Sequence, residues 1–359
     1  MKKYSILIFI ILVVLISCKT LIKTAPEEQT TIIQTETRGD YRVMFYNCEN
    51  LFDIYDDTTK MDDEFLPDGE KYWNYTKYKE KLANISKVIT AIGGWDPPEI
   101  IGLCEVENMA VLNDLVTISA LQKHEYKIIH KESPDSRGID VAFLYLKKKF
   151  TPINYVAIPI VFPKDLGGKS TRDILYIKGY TSHKDTMHIF VNHWPSRWGG
   201  QMETEDKRMF VAGVLRTVVD SIFTENKNAN ILIMGDLNDY STDRSMVECL
   251  KANNEYTDIV PNDLYNMSHY IHEKYGAWSH KHEGEGDILD QMIVSGTMLN
   301  PENSINTTLE NAHTYDAPFL LTEDVNYVGY QPFRTYIGYK FNGGFSDHLP
   351  VYLDLFFKK

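Results

Sequence analysis

Ile231-Leu232-Ile233-Met234-Gly235-Asp236-Leu237-Asn238 runs through four apolar residues and a glycine, then sets an acid and an amide two positions apart. A short continuous apolar run closed by turn-forming residues is the pattern of a β-strand buried on both faces. Side chains on a strand alternate, so Asp236 and Asn238 project from its end to the same side. The same grammar recurs along the chain. Arg42 to Tyr46 leads into Asn47 and Glu49, Glu99 to Cys104 into Glu105, and Met187 to Asn192 into His193. Phe345-Ser346-Asp347-His348-Leu349-Pro350-Val351 places Asp347 and His348 just ahead of a last strand, Leu349 to Leu355. A sheet that aligns these strands brings all five segments to one edge. Carboxylates around imidazoles, with oxygen ligands and no cysteine cluster, point to a hard divalent cation and to phosphate ester cleavage.

Between these strands, Thr76 to Ile92 carries Tyr78, Leu82, Ile85, Ile89 and Ile92 at three- and four-residue steps, which predicts an amphipathic helix ended by Trp95-Asp96-Pro97-Pro98. Glu107 to Leu121 also reads as helix, and Thr204 to Phe223 carries Phe210, Val214, Val218 and Ile222 at helical spacing. Further strands are expected at Tyr126 to His130, Ile139 to Leu146, Asp173 to Tyr180 and Asp290 to Ser295. A short helix near Ser245 to Leu250 and a long irregular stretch before the final strand complete the pattern. Alternating and continuous apolar strands together suit sheets covered by helices on their outer faces. Repeats are absent, and the strand motifs extend to the last residues, so residues 41–359 are expected to form one domain closed by its own C-terminal strand.

The N-terminus speaks to location. Lys2 and Lys3 precede the apolar run Ile6 to Ile16, which ends in Leu15-Ile16-Ser17-Cys18. That run is shorter than the roughly 20 residues a membrane span needs. A charged start, a short greasy core and a small-residue end describe a secretory signal, and Cys18 at the cut site is the mark of a bacterial lipoprotein acylated there. The expected organisation is a signal peptide over residues 1–18, a flexible tether over 19–40, and a protein anchored by lipid in the bacterial cell envelope, on the periplasmic or outer-membrane side. Formal charge is −13, and loss of Lys2 and Lys3 takes it to about −15. Such an acidic chain is a poor general trap for polyanions, since non-specific nucleic-acid binding comes mostly from Lys and Arg. Cys48, Cys104 and Cys249 remain after Cys18. A Cys48–Cys104 bridge is open to this arithmetic, but two small buried thiols fit better.

At this level of detail the chain resembles the endonuclease/exonuclease/phosphatase superfamily, which includes pancreatic-type deoxyribonuclease, abasic-site endonucleases, neutral sphingomyelinases and inositol polyphosphate 5-phosphatases. The resemblance covers about residues 41–359. It is carried by Tyr46-Asn47-Cys48-Glu49-Asn50, Leu103-Cys104-Glu105, Arg137-Gly138-Ile139-Asp140, Asn192-His193-Trp194-Pro195-Ser196-Arg197, Gly235-Asp236-Leu237-Asn238, Leu289-Asp290 and Ser346-Asp347-His348-Leu349-Pro350, in the family's order. It implies an α/β four-layer sandwich, two mixed, mainly antiparallel sheets face to face between helices, with the site at one open edge.

The resemblance also implies roles. Glu105 would be the principal ligand of Mg²⁺ (Mn²⁺ as an alternative), with Asn47 and Asp347 in accessory positions. Asp236 would orient or deprotonate the attacking water, Asn238 would donate to the phosphoryl group, and His348 would contact phosphate or water with Asp290 holding its tautomer. His193 would stabilise or protonate the leaving oxygen, though no acidic partner for it is identifiable. Arg137 and Arg172 are candidates for charge stabilisation at the phosphate. The acidic run Asp53, Asp56, Asp57, Asp62, Asp63 and Glu64 reads as a solvated loop, and His280 with His282 as a flexible hydrated loop rather than a zinc site. Trp198 and Trp278 are candidates for stacking on substrate. The expected activity is phosphodiester hydrolysis by a monomer, with nucleic acid the leading substrate. A phosphatase or phosphodiesterase for lipids or small phosphorylated metabolites, and a catalytically silent binding module, are the alternatives.

Overall fold

Parity along the strands explains the architecture. In the computed structural model, which describes residues 38–197 and 199–358, Leu232 and Met234 of the quoted run join one apolar cluster while Ile231 and Ile233 join another. Val43 and Phe45 likewise face the first cluster, and Met44 and Tyr46 a third. Each strand is therefore buried on both sides, which is why its sequence is continuously apolar.

The chain runs β1 (Tyr41–Leu51), α1 (Tyr75–Gly93), β2 (Ile100–Val106), α2 (Met109–Thr117), β3 (Lys127–His130), β4 (Asp140–Tyr145), β5 (Phe150–Ile158), β6 (Ile174–Thr181) and β7 (Thr186–His193). It continues through α3 (Gln201–Glu225), β8 (Asn230–Asp236), β9 (Ala252–Asn253), β10 (Leu264–Asn266), α4 (Met267–Tyr275), β11 (Asp290–Ser295), β12 (Ile305–Asn306), β13 (Ala312–Thr314) and β14 (Val351–Phe357). One sheet has the order β12-β14-β1-β2-β4-β3, with β13 also on β14, and the other the order β5-β6-β7-β8-β11-β10-β9. The pairs β1·β2, β7·β8 and β9·β10 are parallel; the other ladders are antiparallel.

The sheets pack face to face through Val43, Phe45, Ile189, Val191, Leu232, Met234, Leu353 and their neighbours. Close approach is set at Gly102 of β2, where an added Cβ would come within 2.9 Å of the Met234 methyl. On the outer face of the first sheet, α1 buries Leu82, Ile85 and Ile89, and α2 buries Leu112 and Leu115. On the outer face of the second, α3 buries Val211, Leu215 and Val219. Each such side chain contributes roughly 1.5–3 kcal/mol when fully buried. The result is the four-layer sandwich expected. Helix α1 starts where Asn74 accepts from the backbone N–H of Thr76 and Lys77, and ends at Gly94 with φ of 64°.

Several elements escaped the sequence pattern. β5 is an edge strand whose residues 153 to 156 are exposed, so it shows no apolar period. α4 spans nine residues, about two and a half turns, too few to print a period. The stretch after β11 holds two short hairpins, Leu321–Glu323 with Tyr330–Pro332 and Tyr336–Ile337 with Lys340–Phe341. Arg38–Lys359 forms one compact unit. The expected signal peptide over residues 1–18 with Cys18, nearly all of the expected tether, and Trp198 lie outside the described residues. Among the described residues no helix is long and apolar enough to cross a membrane.

Candidate active site

Strand register builds the first row of the site. His193 at the end of β7 pairs with Asp236 at the end of β8, and Asp236 with Asp290 at the start of β11. Register partners on one sheet face the same way, so these three side chains stand in line. Gly235 makes the row possible: a Cβ there would sit 2.5 Å from the Asn192 carbonyl oxygen.

The second sheet supplies Asn47 and Glu105. β1 and β2 are in parallel register to Asn47↔Cys104 and resume at Leu51↔Val106, so three residues of β1 oppose the single residue Glu105. Glu49, Asn50 and Glu105 take left-handed backbone conformations with φ of 47°, 62° and 56°. Such conformations cost about 1 kcal/mol or more each for residues with a Cβ and gather where a side chain must be re-aimed. Glu105 is thereby turned to the site: Oε2 accepts from the Asn50 N–H at 3.0 Å, and Oε1 is 3.8 Å from His193 Nε2.

Asp236 is the hub. Oδ1 accepts from the Asn238 N–H at 3.0 Å and Oδ2 from Asn47 Nδ2 at 3.0 Å, while His193 Nε2 and His348 Nε2 lie 3.7 and 3.8 Å from Oδ2. His348 in turn places Nδ1 2.6 Å from Asp290 Oδ2. Ser346 Oγ donates to the Asn47 carbonyl and accepts from the His348 N–H, tying the segment before β14 to the end of β1 within the first sheet. Ser279 Oγ accepts from the Asp290 N–H.

Charge is distributed unevenly. Burial pushes Asp236 up to about 7, with Asp290 and Glu105 adding to the rise and His348 opposing it. Burial also lowers His348, but the carboxylates of Asp290 and Asp236 outweigh it and hold the imidazole well above its ordinary value, as an imidazolium. His193 goes the other way, driven well down by burial and by Arg172, Arg137 and His348. It is neutral, and its buried Nδ1 has no partner, which accords with the missing acid in the sequence.

Asp347 lies beside the row rather than in it. Arg334 Nη2 donates to Asp347 Oδ2 at 2.8 Å, and Arg334 Nε is 3.4 Å from Glu49 Oε1. Beneath them Lys81 of α1 is fully enclosed, donating to the Phe345 carbonyl at 2.6 Å and to Thr335 Oγ1. Lys81 and Arg334 were not singled out from the sequence. For Lys81 a signal existed, a lysine at a core-facing position of the Tyr78, Leu82, Ile85 stripe; for Arg334 there was none.

The two arginines separate. Arg137 is half exposed at the mouth, donating to Asn50 Oδ1 at 2.6 Å and standing 3.9 Å from Glu105. Arg172 is buried, bound to Asp135 at 3.1 Å and to the Trp194 carbonyl at 2.6 Å. The same carbonyl accepts from Asn238 Nδ2 at 3.1 Å, so one amide hydrogen of Asn238 is committed to the protein. Two expectations need correcting. His280 is part of a hairpin, His280–His282 with Glu285–Asp287, and its ring packs on that of His348 at 4.8 Å, so it is not a hydrated loop residue. Within the acidic run, Asp56, Asp57 and Asp63 are exposed, but Asp62 is buried. Trp278 packs against the first sheet's outer core, and Trp194 is buried. Cys48 and Cys104 are free and buried, and they belong to different apolar clusters on opposite faces of the first sheet, which explains why neighbouring strands do not join them.

The donors suit a hard cation. Glu105 and Asn47 offer oxygen beside Asp236, and Asp347 stands one residue from His348. Cys104 also approaches His193 and Asp236, and burial drives its thiol well above its ordinary value.

A family model described as the Endonuclease/Exonuclease/phosphatase family matches residues 42–357. No match was found among curated proteins by sequence. Among solved structures, the human Nocturnin catalytic domain with bound sulfate superposes with a TM-score of 0.53 at 16% identity, covering 90% of this chain and 96% of that one. A mannosyl-6-phosphatase of Bacteroides thetaiotaomicron has a TM-score of 0.53 at 15% identity, covering 88% and 100%. Truncated TDP2 of Caenorhabditis elegans has 0.52 at 16%, covering 89% and 98%. At these identities the likeness is one of fold.

Proposed function

The chain belongs to the Endonuclease/Exonuclease/phosphatase family, hydrolases of phosphoester bonds, and from that premise we propose that it is a divalent-metal-dependent phosphodiesterase with nucleic acid as its leading substrate. The observation that carries the reading is the line Asp290, His348, Asp236, in which an imidazolium is held between two buried carboxylates, one of them raised to about 7.

In this reading Asp236 takes the proton of the attacking water, since a carboxyl titrating near neutrality is matched to that task. His348, held cationic by Asp290, faces the phosphate and offsets its growing negative charge. His193 is neutral, so it serves the leaving oxygen as an N–H donor rather than as a protonated acid. Asn238 adds its free amide hydrogen and Arg137 a half-exposed guanidinium at the mouth. Glu105 and Asn47, with Asp347 beside them, would hold Mg²⁺ or Mn²⁺, which when bound polarises a phosphoryl oxygen. Arg172 acts from behind, fixing the Trp194 carbonyl next to His193.

The acidic composition supports a second reading, a phosphatase or phosphodiesterase for lipids or small phosphorylated metabolites, because a formal charge of −13 disfavours long polyanions. The Lys2-Lys3, Ile6 to Ile16, Cys18 pattern supports anchoring in a bacterial cell envelope. The deciding experiment incubates the purified full chain with plasmid, RNA, sphingomyelin and a bis-aryl phosphate in Mg²⁺ and then in chelator. Metal-dependent cleavage of plasmid or RNA is expected. Turnover confined to sphingomyelin or the aryl ester moves the assignment to the second reading, and no turnover on any of them leaves a binding module.

A further inference from the structure

The strained turn at the end of β1 holds two arginines as well as Glu105. Glu49 and Asn50 are consecutive residues with φ of 47° and 62°, and each binds a different guanidinium. Asn50 Oδ1 accepts from Arg137 Nη2 at 2.6 Å, while Glu49 Oε1 lies 3.4 Å from Arg334 Nε. The Asn50 N–H donates to Glu105 Oε2 at 3.0 Å. One turn thus carries the candidate metal ligand together with a guanidinium from each of two remote segments, the β3–β4 connection and the link between the two short hairpins that follow β13.

Arg334 stands on fixed backbone. The Phe333 N–H donates to the Leu320 carbonyl at 2.7 Å, the Thr335 N–H to Glu49 Oε2 at 2.6 Å, and the Arg334 carbonyl accepts from Asn342 Nδ2 at 3.1 Å. Gly344 lets the chain close on this segment, since an added Cβ would collide with the Phe333 and Arg334 carbonyl oxygens. The tip of the side chain differs. It is 45% exposed, as is that of Arg137. Its bonds to Glu49 and Asp347 use Nε and one hydrogen of Nη2, two of the five N–H groups of a guanidinium. These two carboxylates do not cancel its charge, because the fully enclosed Lys81 acts on both of them as well. A rigid base with a half-exposed charged tip suits contact with a ligand, since little conformational freedom remains to be lost on binding.

We propose that Arg334 is a substrate-binding residue that works with Arg137 to hold a second phosphate of the substrate, next to the one that is cleaved. The inference rests on the phosphoester reading above and narrows it to substrates in which two phosphates are joined through one nucleoside, rather than isolated phosphodiesters such as sphingomyelin. The phosphate under attack already has His348, His193 and Asn238 in the row, and Arg334 lies beside that row, so its charge falls to the neighbouring phosphate. Guanidinium matches phosphate oxygens in a fork and keeps its charge at any working pH. In a chain of formal charge −13, a polyanion is held only where cations are gathered, and two half-exposed guanidiniums are gathered on this turn.

The test is titration calorimetry of the full chain carrying Asp236→Asn, so that no bound ester is turned over, in MgCl₂. The ligands are thymidine 3′,5′-bisphosphate, thymidine 5′-monophosphate and thymidine 3′-monophosphate. The bisphosphate is expected to bind about tenfold or more tightly than either monophosphate, the worth of one charged hydrogen bond, and adding Arg334→Gln should remove that advantage. If this variant fails to fold, Arg334→Gln combined with Glu49→Gln keeps the charges in balance and serves in its place. A merely structural Arg334 would weaken all three ligands together and leave their ratio unchanged. Equal or undetectable binding of the three ligands before Arg334 is replaced, or an advantage that survives its replacement in a folded chain, overturns the proposal. Because binding is the readout, a failure to cleave plasmid or RNA would count against the proposed activity alone, while the ratio judges Arg334 separately.

Discussion

Nδ1 of His348 lies 2.6 Å from Oδ2 of Asp290, a residue 58 positions earlier and on the other sheet. Both are buried, and their pairing decides the charge at the centre of the site.

Asp290→Asn should therefore act through His348. The imidazole is held above its ordinary value in the wild type, so activity that needs its cation is present at and below neutral pH and is lost as pH rises through the raised value. Removing the Asp290 charge should bring that alkaline limb to lower pH and reduce kcat/KM at neutrality by about 10²-fold or more. The measurement is kcat/KM against pH for both proteins. An unshifted limb would show that Asp290 does not set the protonation of His348.

Asp236→Asn should separate activity from stability. Turnover is expected to fall by about 10²–10⁴-fold. The folded-state value near 7 lies above the ordinary 3.8, so the ionised carboxylate opposes folding increasingly as pH rises from about 4 towards 7. In chelator at pH 8 the variant should be at least as stable as the wild type, and that advantage should vanish near pH 4. A variant less stable than the wild type at pH 8 would refute the charge assignment.

Lys81→Met should be costly, because it leaves the buried Glu49 and the half-buried Asp347 beside a single guanidinium. Breaking a buried charge cluster from one side typically costs about 3–5 kcal/mol. Adding Glu49→Gln should recover part of the loss. Urea unfolding measures both, and a loss under about 1 kcal/mol for the single variant would mean that the ammonium contributes little.

Arg137→Ala and Arg172→Ala should diverge. Arg137 is solvent-accessible at the mouth, so its loss should lower kcat/KM by roughly tenfold or more, the worth of one charged hydrogen bond, with little change in Tm. Arg172 is paired in the interior with Asp135, so its loss should reduce stability by about 3–5 kcal/mol as well as activity. Equal behaviour of the two would contradict their different placement.

Much of this molecule was legible along the chain because its information is local there. Strands buried on both faces need continuous apolar runs, which is why β2, β7, β8 and β11 could be read to within two residues. Their polar ends announced Glu105, His193 and Asp236, while Asp290 was implied by the family resemblance. β5 and α4 were missed because an exposed edge and a nine-residue helix leave no period to detect.

Composition and spacing thus indicated helix-covered sheets, the order of the strands' chemical ends and the oxygen-rich character of the site, and the family resemblance implied the four-layer arrangement. Folding settled which of those groups are charged and which are free to meet a substrate. Asp236 is raised, His193 is neutral and His348 cationic, while Arg172 is consumed in the interior and Arg137 is not, and Asp62 is buried amid exposed acids. Desolvation and through-space charge depend on distances between residues far apart in sequence, and no local pattern encodes those distances.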